Sequence, residues 1–227
     1  MQAHPRSGGV VAVVGMTREA KILADTPSIV GGGDAGALAR QLQRAFAQRV
    51  AGVVSFGLCG ALDPALRVGD LVVGRAVATE DEVFDADLAW VERLGAALPT
   101  ATVGRFARAD RPVASADEKA QLRERTGAAA TDLESHVAAT IARRFGVPFV
   151  VLRAVSDAAN RTLPHAAQVG LGSDGRPAIG PVLKSLGRSP WQLPSLIRTA
   201  LEAEDGFHAL ERARDLLGPG LGGPDLG

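Results

Sequence analysis

Several features are scarce or missing in this sequence of 227 residues, and each absence excludes a class of protein. Cys59 is the only cysteine, so one chain can form neither a disulfide nor a cysteine-based metal site, and a reducing compartment fits best. No apolar run reaches the roughly 20 residues that a membrane-spanning helix needs. The first apolar segment also lacks the design of a signal peptide. We therefore expect a cytoplasmic protein that can still touch a membrane surface transiently.

The sequence also has no excess of positive or negative charge. Lys and Arg together number 25, as do Asp and Glu, and there is no tyrosine to interleave with basic residues. A general nucleic-acid binder would carry a basic excess, so that class is excluded. The length suits one α/β domain, which we place at residues 1–217. Residues 218–227, rich in Gly and Pro, have the composition of a disordered tail.

The most informative stretch is residues 130–160, with the sequence ATDLESHVAATIARRFGVPFVVLRAVSDAAN. It predicts a short strand, a helix over residues 135–145 with apolar positions on one face, and a strand from residue 149 buried on both faces. Glu134 then lies at a helix start and Asp157 at a strand end. Ligand sites of open α/β sheets occur at such positions.

The remaining segments alternate between strand and helix patterns. Residues 9–15 predict a first strand, and Thr17 is the expected N-cap of a helix whose first turn holds Glu19. Residues 53–56 predict another strand, followed by a turn at 57–60. We expect an α/β fold, a three-layer α/β/α sandwich with a mixed, largely parallel central sheet. Helices are further predicted at 37–49, 88–98, 115–126, 179–186, 190–204 and 206–217.

Two sequence blocks carry a family resemblance. DLES with VPFVVLRAVSDAAN, and SFGLCGALDPALRVGDLVV at residues 55–73, resemble the nucleoside phosphorylase superfamily. The branch they resemble most includes methylthioadenosine/S-adenosylhomocysteine nucleosidase. The later run RTLPHAAQVGLGSDGRPAIGPVLKSLGRSPWQLPSL is similar to the hopanoid-associated phosphorylase subgroup, implicated in removing adenine from adenosylhopane. The resemblance implies a nucleoside phosphorylase-like fold, a homodimer, and an enzyme without metal or cofactor.

The resemblance also implies roles for individual residues in cleaving an adenine nucleoside. Asp157 is the expected acid towards N7 of adenine, because an apolar pocket disfavours the charged form of a carboxyl and lets it donate a proton. Ser156 would orient Asp157, and Glu134 would bind the ribose hydroxyls. Glu19 would activate water. The expected substrate contacts also include Leu133, Val113, Gly57, Leu58 and Gly60.

Three readings of the activity follow. Glu19 stands where related phosphorylases carry a phosphate-binding arginine, and Leu58 stands where the family often has serine, so we favour hydrolysis over phosphorolysis. Phosphorolysis to the ribose 1-phosphate is the alternative within the family. A non-catalytic nucleoside-binding protein of a lipid pathway is the alternative from another class. An NAD-type enzyme is disfavoured because no GxGxxG follows the first strand.

For several other residues the sequence predicts a structural or secondary role. Cys59 is expected to be a buried structural thiol rather than a nucleophile, and the acidic residues between 80 and 87 a solvated loop rather than a cation site. Trp90 is placed in the core or at a subunit contact. His165 and Arg161 are low-priority candidates in a loop over the site. The apolar residues between 163 and 197 are expected to form an exposed patch beside the cleft, suited to a hopane skeleton.

Overall fold

The computed structural model describes residues 9–169, 172, 174–176 and 178–224. Within them, eight strands form one sheet. The strands are β1 (Val10–Val14), β2 (Ser28–Val30), β3 (Gly52–Ala61), β4 (Leu71–Ala78), β5 (Val83–Asp85), β6 (Thr102–Arg108), β7 (Ala130–Asp132) and β8 (Phe149–Asp157).

Helices surround the sheet. They are α1 (Thr17–Leu23), α2 (Ala35–Phe46), α3 (Leu88–Ala97), α4 (Ala116–Thr126), α5 (Ser135–Phe145), α6 (His165–Gln168), α7 (Ile179–Arg188) and α8 (Leu193–Leu217), with a 3₁₀ turn at Pro190–Gln192. None of the described helices combines the length and apolarity that crossing a bilayer requires.

The sheet is mixed and largely parallel, as predicted. β1 pairs in parallel with β2 and β3, and β8 runs parallel to β3 but antiparallel to β4. β6 pairs in parallel with β4 and β7, and β7 returns to β3 in antiparallel register. The strands β3, β8, β4, β6 and β7 therefore pair in a closed ring, with β1 and β2 extending from β3.

Helices pack on both faces of the sheet because their apolar residues recur on one side. Leu38 and Leu42 of α2 and Ile141 of α5 belong to one apolar cluster against the strands. Trp90 of α3 and Leu210 of α8 belong to a second cluster. The two clusters bury apolar surface on either side of the strands, which gives the predicted helix–sheet–helix layering.

Three local predictions were wrong. Met16, not Thr17, is the N-cap of α1, and Thr17 is the first helical residue. The expected turn at 57–60 is instead the second half of β3, because its backbone keeps pairing with β8 past residue 57. Gly206 does not break the last helix: a Cβ there would lie 2.7 Å from Cδ2 of Leu58, so glycine permits close packing inside α8.

The predicted disordered tail was also wrong for its described part. The carbonyl of Leu221 accepts a hydrogen bond of 2.9 Å from Nε1 of Trp90, and both residues are fully buried. Gly223 lies so close to Val10 that an added Cβ would be 2.5 Å from its side chain. Residues 218–224 therefore pack against α3 and β1. Residues 225–227 of the predicted tail lie outside the described residues.

Candidate active site

A cavity of about 200 Å³ lies where β1, β3, β7 and β8 end. Its lining includes Glu19, Glu134 and Asp157, three acids that are far apart in sequence. All three side chains are buried. Parallel strands end at the same edge of a sheet, so β1 delivers the helix with Glu19 to the edge where β8 delivers Asp157. The fold therefore gathers the acids that the sequence singled out.

The Glu19 carboxylate is held by backbone amides that follow β1 and by one within β3. Its Oε2 accepts hydrogen bonds from the amides of Gly15 (2.7 Å) and Met16 (2.8 Å), and its Oε1 accepts one from the amide of Leu58 (2.8 Å). Burial raises the pKa of Glu19, opposed by the charge of Arg153 and by these amides. A carboxylate with a raised pKa is a stronger base, so Glu19 is suited to removing a proton.

Gly57 lies behind Glu19 rather than in the cavity lining. A Cβ at position 57 would be 2.4 Å from Oε1 of Glu19, and the residue has φ of 149°, a conformation that favours glycine. Glycine at this point of β3 lets the Glu19 carboxyl pack directly on the strand backbone. Its role is thus to admit Glu19, whereas the sequence placed it against the substrate.

The buried guanidinium of Arg153, on β8, lies between the acidic side chains and contacts several of them. Its Nη2 donates to Oγ of Ser55 (2.8 Å) and to Oε2 of Glu134 (3.1 Å), and lies 3.4 Å from Oδ1 of Asp132. Its Nη1 donates to the carbonyl of Leu58 (2.9 Å). Arg153 therefore links β3, β7 and the start of α5, and it neutralises part of the acidic cluster.

The pKa values of Glu134 and Arg153 are both shifted in this cluster, with different consequences for their charge. Burial raises the pKa of Glu134 to about 7; Arg153 opposes the rise, while Asp132 and Glu19 add to it. Burial alone would lower the pKa of Arg153, but the neighbouring carboxyls outweigh burial and raise it above its usual value. Glu134 therefore changes charge near neutral pH, whereas Arg153 stays a cation.

Glu134 is positioned by local backbone geometry. Oδ1 of Asp132 accepts from the amides of Glu134 (2.8 Å) and Ser135 (2.7 Å), which fixes the start of α5. Gly15 and Gly31 lie beneath the Glu134 side chain, because a Cβ would approach it to 3.0 Å and 2.9 Å respectively. Glycines after β1 and after β2 thus leave room for this carboxyl.

Asp157 has a partner that the sequence analysis missed. The ammonium of Lys119, a fully buried residue of α4, donates to Oδ2 of Asp157, to the carbonyl of Ala158 (2.8 Å) and to that of Arg161 (3.1 Å). Ser156 donates to Oδ1 at 2.8 Å. The expectation of an apolar pocket around Asp157 was therefore wrong, because an ion pair occupies it.

The other expected substrate contacts lie around the same cavity. The lining contains these predicted residues: Leu133, Ser156, Val113, Leu58 and Gly60. A Cβ at Gly60 would be 3.2 Å from Oδ2 of Asp157, so glycine keeps that side of the carboxyl open. Arg111, Pro112 and Leu163 complete the end of the cavity near Val113.

The weaker candidates have other roles or lie elsewhere. Cys59 is part of the cavity lining, but its side chain is buried, and burial raises the pKa of its thiol well above the usual value, which suits a structural residue rather than a nucleophile. His165 is not in the cavity lining: its Nδ1 lies 3.1 Å from Oγ of Ser185. Arg161 pairs with Glu202 of α8. Trp90 is fully buried in the second apolar cluster, so its expected place in the core is confirmed and the alternative of a subunit contact is not.

The acidic loop between residues 80 and 87 behaves mainly as surface. Glu82 pairs with Arg143, and Asp87 caps α3 by accepting from the amide of Trp90 at 2.8 Å. Within the part of the chain that the structure describes, no group of three or more His, Cys, Asp or Glu is arranged to hold a metal ion.

The apolar segment 163–197 is only partly beside the cavity. Of its described residues, Leu163 is the one in the cavity lining. At the opposite edge, the carbonyl of Gly175 accepts from the amide of Thr17 (3.0 Å), next to Met16 of the lining. The large exposed apolar residues of this segment lie further along, on α7 and at the start of α8.

The residues that sequence reasoning missed are Lys119, Asp132 and Arg153 as members of the site. Arg153 did give a signal, since it is the one charge in an otherwise apolar strand. Asp132 gave a weaker one, two residues before Glu134. Lys119 gave none, because its partners lie 38 or more residues away along the chain.

Comparison with known proteins identifies the family of this chain. Residues 6–176 match the family described as the phosphorylase superfamily. A 5′-methylthioadenosine/S-adenosylhomocysteine nucleosidase of Staphylococcus aureus (strain JH9) is 28% identical over 130 residues, which cover 48% of this chain and 57% of that protein. The chain thus spans just over half the length of the curated relatives it matches.

Solved structures share the fold at low identity. The adenine complex of a 5′-methylthioadenosine/S-adenosylhomocysteine nucleosidase from Colwellia psychrerythraea 34H aligns with a TM-score of 0.59 and 20% identity, covering 82% of this chain and 97% of that one. A futalosine hydrolase mutant of Helicobacter pylori aligns with a TM-score of 0.61 and 18% identity, covering 80% and 99%. By its sequence match, the chain belongs to the phosphorylase superfamily.

Proposed function

We propose that this cavity cleaves the N-glycosidic bond of an adenine nucleoside with water and releases adenine. The observation that carries the proposal is the meeting of Glu19, Glu134 and Asp157 in one cavity. Cleavage needs a proton at N7 of adenine, a grip on the ribose and a nucleophile at C1′. A protein that only bound nucleosides would need neither the acid nor the base.

Asp157 is the proposed donor towards N7. Its Oδ2 accepts from the Lys119 ammonium and its Oδ1 from Ser156, so the buried pair carries a transferable proton. When the C1′–N9 bond breaks, the bonding electrons move onto adenine and N7 takes this proton. This proton comes from the Lys119 ammonium through Asp157, so the pair is left as an amine and a carboxylate, and a proton from solvent restores the ammonium after adenine leaves.

Glu134 is the proposed ribose ligand. An ionised carboxylate accepts hydrogen bonds from both vicinal hydroxyls, and charge-assisted bonds of this kind are strong. Arg153 fixes Oε2 of Glu134 at 3.1 Å, which orients the carboxyl towards the cavity that both residues line. Leu133, Leu58 and Gly60 would contact the nucleoside around it, and Val113 would lie against the base.

Glu19 is the proposed base that takes a proton from the attacking water. The water oxygen bonds to C1′ while the Glu19 carboxyl accepts the proton that the water loses. Three carboxyls, Glu19, Asp132 and Glu134, face one guanidinium, that of Arg153. A phosphate dianion would meet more negative than positive charge here, which supports hydrolysis over phosphorolysis.

The proposed substrate is more specifically an adenosylhopane-type nucleoside, which carries a bulky 5′ substituent. A hopane skeleton does not fit a cavity of about 200 Å³, so the 5′ end must leave it. Met16 and Leu163 provide apolar edges of the cavity, and the segment that follows Leu163 is similar to the hopanoid-associated subgroup. Burying such a hydrocarbon contributes about 25 cal/mol per Å².

The reaction class is tested by incubating the protein with adenosine, with and without phosphate, and identifying the sugar product. We expect free ribose and adenine at a rate that phosphate leaves unchanged. A reaction that requires phosphate and yields ribose 1-phosphate would overturn the hydrolytic assignment of Glu19. No release of adenine from any adenine nucleoside would favour the binding-protein reading.

The substrate class is tested by comparing kcat/KM for adenosine, 5′-methylthioadenosine and an adenosine with a long 5′-alkyl chain. The hopanoid assignment expects the alkylated compound to be the preferred substrate. A steep preference for the methylthio compound would leave a general nucleosidase. We also propose a cytoplasmic homodimer, for which light scattering at micromolar concentration is the check.

A further inference from the structure

Helix α7 leaves two large apolar residues exposed. Ser185 is buried beside His165 and Val182 and Leu186 are half-buried, whereas Ile179 and Leu183 on the other side are 68% and 62% exposed. Ile179 and Leu183 are four residues apart and so share one helical face. An amphipathic helix normally buries its apolar face against its own fold. In α7, by contrast, the apolar side chains of Ile179 and Leu183 face away from the fold.

The start of α8 continues this surface. Leu193, Ile197 and Leu201 recur every fourth residue and are exposed, and Trp191 before them is 76% exposed. Six of the eleven large exposed apolar residues among the described part of the chain fall between residues 179 and 201. The C-terminal half of the same helix buries Phe207 and Leu210 normally. Exposed apolar surface concentrated in this way marks an interaction site.

Charge distinguishes between the possible occupants. Residues 178–201 contain Lys184, Arg188 and Arg198 and no acidic residue, whereas the whole chain has no net charge. Because Arg198 pairs with Glu202 at 2.8 Å, Lys184 and Arg188 carry the basic charge of this surface. A two-fold contact between copies of the chain would bring this basic surface against itself. Like charges would then oppose each other, so a second copy is disfavoured.

We propose that residues 178–201, which we call the α7–α8 surface, dock on an anionic lipid bilayer. Helices that lie in a membrane interface combine an apolar face carrying Leu or Trp with Lys and Arg elsewhere on the helix. Trp191 sits in the turn between the two helices, and tryptophan prefers the headgroup level. The proposal stands on this surface alone and does not depend on the reaction that the cavity catalyses.

The experiment mixes the full chain with vesicles of phosphatidylcholine alone or of three parts phosphatidylcholine to one part phosphatidylglycerol. Co-sedimentation should be about tenfold or more stronger with the anionic vesicles, because each basic residue near such a surface strengthens binding about fivefold. Trp90 is fully buried and Trp191 is exposed, so a blue shift of tryptophan fluorescence on binding reports Trp191.

Matched variants separate the two contributions. Leu183→Gln with Ile197→Gln should abolish sedimentation, whereas Leu88→Gln with Leu216→Gln, equally exposed but outside the surface, should leave it unchanged. Lys184→Glu with Arg188→Glu should remove the preference for anionic vesicles. Arg44→Glu with Arg49→Glu, the same charge change on exposed residues near the end of α2, should not. Thermal unfolding midpoints check that every variant folds.

Two results would overturn the proposal. One is sedimentation that is absent, or equal with both vesicle types. The other is a dimer in sedimentation equilibrium that Leu183→Gln with Ile197→Gln dissociates, which would assign the surface to a second copy. Adenosine cleavage measured without vesicles is an independent readout, so failure of docking and failure of the proposed reaction are distinguishable.

Discussion

The ammonium of Lys119 contacts the carboxylate of Asp157, and both groups are buried although they come from a helix and a strand end 38 residues apart. The remaining two hydrogen bonds of the ammonium go to the carbonyls of Ala158 and Arg161. Lys119 thus fixes Asp157 and the loop after it in one arrangement. The proton that Asp157 would donate is therefore shared with Lys119.

Replacing either Lys119 or Asp157 should reduce the free energy of unfolding. Replacing both should reduce it by less than the sum of the two single effects. Lys119→Met and Asp157→Asn each leave a buried charge without its partner, which costs about 3–5 kcal/mol of unfolding free energy. The double variant should lose less than the sum of the singles, because neither charge is stranded. Denaturant unfolding measures this; strictly additive losses would contradict a direct ion pair.

The same variants test the proposed acid. Asp157→Asn should lower kcat by about 10²–10⁴-fold with little change in KM, because only the proton transfer is lost. Lys119→Met should lower kcat in the same direction, and the double variant should fall no further than Asp157→Asn. Near-normal turnover of Asp157→Asn would remove that residue from the mechanism.

Gly57→Ala should reduce activity through Glu19. The added Cβ would lie 2.4 Å from Oε1 of Glu19, so the carboxyl must shift, and kcat/KM should fall by on the order of 10²-fold if Glu19 is the base. Gly146→Ala is the control: Gly146 also has positive φ (64°), but a Cβ there meets nothing within 4 Å. The control should lose about 1 kcal/mol of stability and keep its activity.

Glu134 should make stability depend on pH. Its pKa is about 7 in the folded chain and 4.5 ordinarily, so the folded state holds this proton more tightly than the unfolded state. The resulting stabilisation is complete below pH 4.5 and is lost as the pH rises to about 7. The loss is at most about 3 kcal/mol.

The measurement compares Tm of the wild type and Glu134→Gln across that interval. The wild type should lose stability relative to the variant as the pH rises. A difference in Tm that stays constant across the interval would contradict the raised pKa. KM for adenosine should also rise as the pH falls below about 7, because the protonated carboxyl is a poorer acceptor for the ribose hydroxyls.

Leu221→Ala should destabilise the fold even though the residue lies in a Gly-rich terminal segment. Leu221 is fully buried beside Trp90, and truncating a buried leucine costs about 2–5 kcal/mol. Leu216→Ala is the matched control, since Leu216 is 70% exposed, and it should change stability by less than about 0.5 kcal/mol. Equal effects of the two substitutions would mean that the terminal segment does not pack in solution.

The sequence was informative where local pattern decides structure. The valine-rich run from residue 149 and the Gly-Val-Pro before it predict β8 and its boundary, because propensity and burial agree there. Glu19, Glu134 and Asp157 each lie at or just after the end of a predicted strand, and the family resemblance gave them their expected roles. Periodicity therefore predicted both the sheet and the edge where the acids lie.

Other features depend on contacts between distant segments, which local pattern does not encode. Arg153 is bonded to Ser55, 98 residues away, and the sequence shows only a lone charge in a strand. Lys119 reads as one more polar residue of a helix that has a capping box. Leu221 lies in a composition typical of disorder, yet it fills a space beneath Trp90 that only the fold creates.

Strand β8 carries both Arg153 and Asp157, so it sets the spacing between two parts of the site. Arg153, which anchors Glu134, and Asp157 are four residues apart on it, about 13 Å along an extended backbone. β8 pairs with β4 as far as Ala154 and with β3 as far as Asp157, with one register shift opposite Cys59 and Gly60, so strand pairing rather than a loop sets this spacing. Strand pairing therefore sets the distance between the proposed ribose ligand and the proposed acid, and we expect substrate preference to diverge at the 5′ end, where Met16 and Leu163 border the cavity.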